Sequence, residues 1–151
     1  MTSTVLKTVA FTILLIAAGV TIKNTEQPNS LKELKERYRV LRECMKNNPK
    51  LPAKYECLLY PVVVVGFKRF PWSSEIGYNT NKGGEIGVCT DSDANSMMHV
   101  LIHELAHMTV EEYDHTPQFF KNMNEIKAMA IKCGVYTPMK PTKYCGGEIS
   151  D

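Results

Sequence analysis

The chain of 151 residues has no C-x-x-C pair, no run of basic residues, no internal repeat and no low-complexity block. Each absence excludes something. Without paired cysteines, Cys44, Cys57, Cys89, Cys133 and Cys145 do not form a cysteine zinc knuckle. Without a basic tail or stripe, and with a net charge of only +2, the composition carries no direct sign of a nucleic-acid partner. Without repeats, the length fits one domain with a single modest core. The odd cysteine count leaves two readings open: two disulfides and one free thiol in an oxidising compartment, or five reduced, mostly buried thiols.

Charge is nearly missing from one stretch. Residues 5–22, VLKTVAFTILLIAAGVTI, carry only Lys7. At a rise of about 1.5 Å per residue they span roughly 27 Å, enough for a bilayer core. Lys7 and Lys23 flank the apolar part and can snorkel to the two interfaces. The expectation is a transmembrane anchor over 1–23 and a single-pass membrane location. The alternatives are a cleaved secretory signal ending near Ala17-Ala18-Gly19, which would leave a secreted protein, and a buried core helix. The bias of positive charge between the two sides is too slight to orient the span.

The polar segment NTEQPNS (24–30) reads as a linker to a domain over 31–151. Ser30 and Glu33 have capping-box spacing, and Leu31, Leu34, Tyr38, Leu41 and Met45 recur at helical period before Asn47-Asn48-Pro49. PVVVVGF (61–67) predicts a buried strand. EIGYNT and EIGVCT (75–80 and 85–90) flank Asn81-Lys82-Gly83-Gly84, which is hairpin chemistry. Asp91-Ser92-Asp93 offers caps for a helix over 94–109, and Pro117 opens a last helix closed by Gly134. The remaining tail reads as irregular. This order of elements predicts an α+β fold with a small antiparallel sheet.

His103-Glu104-Leu105-Ala106-His107 fits H-E-x-x-H. Residues i and i+4 share one helix face, so both imidazoles can reach one metal ion. Glu104 is rotated from His103 by about 100°, which sets its carboxylate beside the metal, where it can take a proton from water. The rest of the helix is apolar (Met97, Met98, Val100, Leu101, Ile102, Leu105), so a His-Glu-His group there would be costly without a metal. The expected cofactor is Zn2+.

A catalytic zinc takes three protein ligands. His99 to His107 spans about 12 Å of helix axis, too far for ligands about 2 Å from one ion. Glu111 and Glu112 reach only if the helix end folds back. Glu125 lies on the next helix at a thermolysin-like position, but Met129 stands where such enzymes carry an aspartate. His115 follows His107 beyond the helix end, where the chain can turn back. It is the favoured third ligand, with Glu125 as the alternative.

HELAH followed by HTPQFF resembles the WLM and SprT-like zinc metallopeptidases, whose third ligand is a histidine closely followed by an aromatic. The wider pattern GYNTNKGGEIGVC…MMHVLIHELAHMTVEEYDHTPQFF…GVY is similar to WLM-like proteins of large double-stranded DNA viruses. The resemblance covers about residues 60–136. It implies a zincin-like minidomain with His103, His107 and His115 as ligands and Glu104 as general base. Cellular members cut proteins crosslinked to DNA, a substrate that is not expected here, where no run of basic residues is present.

The expected function is therefore that of a membrane-anchored zinc metalloendopeptidase acting on a protein or peptide substrate. The alternative is a catalytically silent zinc-binding structural protein of a virion or viral membrane. The strand near Glu85–Cys89 is expected to bind substrate by strand addition. Tyr113, Tyr136 and Tyr144 are candidate oxyanion donors, and Asp114 is a candidate orienter of a ligand histidine. Phe119 and Phe120 are expected to pack the last helix on the active one, and Lys68-Arg69 in GFKRFPW to be solvated.

Overall fold

A computed structural model describes residues 27–151. The expected membrane segment, 5–22, lies outside them. Among the described residues no helix is long and apolar enough to cross a membrane. Helix α1 (Asn29–Lys46) has 18 residues but is dotted with lysine, arginine and glutamate, and the most apolar helix, α2 (Ala94–His107), has only 14. The anchored fold class and the single-pass location are therefore corrected: the architecture is α+β without a demonstrated membrane helix.

α1 buries Leu31, Leu34, Tyr38, Leu41 and Met45, the apolar stripe read from its period. Its start differs from expectation. Pro28 takes the N-cap position and the helix begins at Asn29, so Ser30 lies inside it and no side-chain cap forms. The segment expected to be a linker up to residue 30 thus ends within the helix. A 3₁₀ helix (Ala53–Leu59) follows and buries Tyr55 and Leu58.

Strands β1 (Val63–Phe67), β2 (Gly77–Thr80) and β3 (Glu85–Cys89) form one sheet in the order β1-β3-β2. β2 and β3 are the expected antiparallel hairpin, with Thr80 opposite Glu85. β1 runs parallel to β3, so the sheet is mixed rather than antiparallel. Residues 68–76 carry the chain from one edge to the other, and the hairpin then returns β3 to the centre. As an edge strand β1 is only partly covered; Val63 is 59% exposed despite its β-branched neighbours.

α2 starts where Asp93 Oδ1 accepts the N–H groups of Asn95 and Ser96 at 2.9 and 3.0 Å. It packs on β2, β3, α1 and α3 (Pro117–Lys132). Enclosure on several sides explains why it reads as apolar nearly all round. α3 is capped by Thr116, whose hydroxyl accepts from Phe119 N–H at 3.2 Å, with Pro117 at its first position. It ends at Gly134, φ 74°, with Val135 N–H bonded back to Ala130 O.

The tail is not irregular. β4 (Thr142–Tyr144) and β5 (Gly147–Ile149) form a hairpin turning at Cys145-Gly146. Disulfides join Cys44 to Cys133 and Cys89 to Cys145, leaving Cys57 free and exposed. The first ties the end of α1 to the end of α3. The second ties β3 to the tail hairpin.

Candidate metal centre

His103 and His107 lie one turn apart on the last two turns of α2, and the chain then leaves the helix and returns at His115. His115 Nε2 lies 3.0 Å from His103 Nε2 and 3.3 Å from His107 Nε2. The three form a group able to hold a metal ion. A tetrahedral site with metal–nitrogen bonds of about 2.0–2.1 Å has edges of roughly 3.3 Å, so the spacing fits one ion at the common focus. Without an ion the arrangement is unfavourable. His115 Nε2 offers either one N–H or one lone pair, so whichever tautomers the rings adopt it cannot serve both contacts well.

Phe119 holds this arrangement from below. It is fully buried, and its ring centroid lies 5.0, 4.4 and 4.7 Å from those of His103, His107 and His115. Phe120 is half exposed and touches only His115 among the three, at 6.0 Å. Burial, and then the neighbouring imidazoles of His107 and His115, lowers the His103 pKa to about 4. His107 is lowered too, by burial first and His115 next. Both shifts favour the neutral imidazole, the form in which a histidine can bind a metal ion. Nδ1 of His107 is buried with no hydrogen-bond partner, so nothing on that side of the ring fixes its tautomer.

Glu104 is 7% exposed and lines the same pocket as the three histidines. Burial, with a smaller effect from Glu75, raises its pKa to about 7. β2 passes directly over it. A Cβ on Gly77 would sit 3.1 Å from Glu104 Oε1 and 2.6 Å from Val100 Cγ1, so only glycine lets the strand come this close. Asn79 fastens the two elements. Its amide donates to Glu104 O at 2.9 Å and its Oδ1 accepts from Gly83 N–H at 2.7 Å.

The other candidates lie elsewhere. His99 is buried, neither solvent-facing nor at the cluster; its Nδ1 is 3.2 Å from Tyr136 Oη and 3.6 Å from Asp151 Oδ1. Glu125 accepts from Tyr55 Oη at 2.5 Å and pairs with Lys54 Nζ at 2.8 Å, which commits it to the 3₁₀ helix. Glu111 and Glu112 are exposed. Tyr136 is occupied by Asp151 and Tyr144 donates to Cys89 O, so of the three tyrosines only Tyr113 lines the pocket. Asp114 is exposed, and its carbonyl, not its carboxylate, is engaged, by Thr116 N–H. Reasoning from sequence missed Gly77, Tyr78, Asn79 and Lys82, which also line the pocket. Their signal was the hairpin itself, read there only as a turn.

No family model matches the chain, and no solved structure matches it. It is similar to a viral protein. An uncharacterised protein of Acanthamoeba polyphaga mimivirus is 31% identical over 96 residues, covering 56% of this chain and 49% of the relative. The chain spans about half the length of that relative. The likeness is distant and suggests a viral origin. The zincin-type family expected from HELAH and HTPQFF rests on those motifs alone.

Proposed function

We propose that the chain is a zinc-dependent metallopeptidase, with His103, His107 and His115 holding the ion and Glu104 as general base. The supporting observation is the convergence of three Nε2 atoms, at 3.0 and 3.3 Å from His115, beside a buried carboxylate. An all-imidazole donor set suits zinc, and three protein ligands leave a fourth position open, as catalytic sites do. Bound zinc supplies Lewis acidity, polarising a carbonyl and making water acidic near neutral pH.

The chain's own residues supply the proton transfers. With its pKa raised to about 7, Glu104 can both accept a proton and release it to a leaving amine near neutral pH. β2 offers the substrate site. It is the edge strand next to the pocket, whereas β3 is paired on both sides, by β1 and β2. The expectation that β3 receives the substrate is thereby corrected. An extended peptide added to β2 would lie across the histidines, held by main-chain bonds with weak sequence preference. Tyr113, 76% exposed at the pocket, is the remaining side chain for a developing oxyanion.

The test is cleavage of an unfolded protein by the zinc-loaded chain. Glu104→Gln should keep the zinc and lose about 10²–10⁴-fold in rate. His115→Ala should lose most of the zinc, and Glu125→Ala almost none. Failure of the wild type to bind zinc overturns the reading. Zinc binding without cleavage leaves a metal-binding structural protein in its place.

A further inference from the structure

Among the described residues Lys82 is the one lysine or arginine lining the pocket, and it invites a reading as an electrophile for the substrate carbonyl. Its bonds argue otherwise. Its ammonium donates to the carbonyl oxygens of Val110, Glu111 and Glu112. An ammonium has three N–H groups, so these three acceptors take them all. The charge also lies 4.7 Å from the Tyr113 ring centroid, so the side chain grips residues 110–113 at every position.

Those residues form the irregular passage between His107, at the end of α2, and His115, just before α3. Upstream, Thr109 is held by Ala106 and Asn122. Downstream, Thr116 is the cap of α3. Among the described residues, the hydrogen bonds that tie 110–113 to another element all come from Lys82. The hairpin is built to present it. Asn81 and Lys82 both adopt left-handed backbone, φ 51° and 48°, which non-glycine residues rarely do. Next to them Gly83 sits so close to the end of α2 that a Cβ would lie 2.7 Å from Met108 Cε.

We propose that Lys82 is the positioning residue of the third ligand: the β2–β3 turn reaches across the pocket and sets the path of 110–113 so that His115 closes the metal site. The inference rests on the metal-site reading above. It makes the hairpin a builder of the centre as well as one wall of it.

The experiment measures zinc affinity of the full chain by competition with a chromophoric chelator, for wild type, Lys82→Met, Lys82→Arg and His115→Ala. Amide hydrogen exchange over 108–116 is recorded in parallel on the metal-free proteins. Lys82→Met should weaken zinc on the order of 10–100-fold, as loss of outer partners of a metal site does, and should speed exchange at 110–113. Lys82→Arg, which keeps charge and donors, should recover most of both. Affinity within twofold of wild type in Lys82→Met overturns the inference while leaving the metal site intact. Absence of zinc in the wild type overturns the underlying reading. If Lys82→Met fails to fold, Lys82→Gln is measured in its place. Should that also fail to fold, Lys82 supports the whole domain rather than this loop, and the proposal falls.

Discussion

Glu104 and His103 are neighbours in sequence whose burial has opposite consequences. A buried carboxyl resists ionisation, so Glu104, normally near 4.5, is raised to about 7. The folded state then binds more protons than the unfolded one between these values, and stability from this group is lost as pH rises from 4.5 to 7. His103 is lowered from 6.5 to about 4, so the unfolded state binds more protons there and stability is gained as pH rises from 4 to 6.5. Over the shared interval the two slopes oppose each other. In metal-free protein, Glu104→Gln should therefore be more stable than wild type at pH 8, by up to about 3 kcal/mol, and little changed at pH 4.5. Urea denaturation at the two pH values checks this; equal gains at both would show that burial of charge is not the cause. At this scale the sequence was informative where geometry is local. Residues four apart on a helix must share a face, so the pairing of His103 with His107 was legible, with Glu104 about 100° to one side. His115 was favoured over Glu125 but the choice stayed open, because spacing along an irregular passage does not determine its path. Contacts from Lys82, far along the chain, determine it instead.

Between elements, the decisive junction is that of β2 with the C-terminal half of α2. Gly77 lets the strand approach, and Asn79 bonds the helix at Glu104 O and its own turn at Gly83 N–H. Asn79→Ala removes both bonds and leaves two partners half-buried, which should cost about 1–3 kcal/mol. Gly77→Ala should cost no less, since its methyl has nowhere to go between Val100 and Glu104. Thermal unfolding of the two variants tests this, and values within error of wild type would mean that strand and helix are free to separate. The elements themselves were mostly readable: the α1 stripe, the Asn-Lys-Gly-Gly turn, the cap at Asp93 and the helix start at Pro117 are all local signals. What failed was non-local or brief. A parallel β1–β3 pairing needs a crossing that no window of sequence reveals. β4 and β5, at three residues each, are too short to show alternation. Ser30 and Glu33 had the right spacing, but Pro28, already holding a helix-compatible entry, starts the helix earlier.

For the whole molecule, the question is what holds the frame around a site assembled from a helix, a hairpin and a loop. No pairing of the cysteines was readable from their spacing, which does not specify connectivity. The structure closes two large loops, of 89 and 56 residues in sequence separation. Cys44–Cys133 joins the far ends of α1 and α3, the two helices packed about α2, while all three histidines of the cluster lie elsewhere. This bond should therefore act on global stability and not on the site. A Cys44→Ser, Cys133→Ser double variant should lose about 2–5 kcal/mol in chemical denaturation, with zinc affinity of the folded form unchanged. On the proposed reading, zinc held by the folded site should restore part of that loss in proportion to the logarithm of its concentration over Kd. If the double variant instead loses zinc affinity while keeping its stability, α1 and α3 transmit their spacing to His115 through Phe119, whose ring touches all three imidazoles, and frame and site are one cooperative unit.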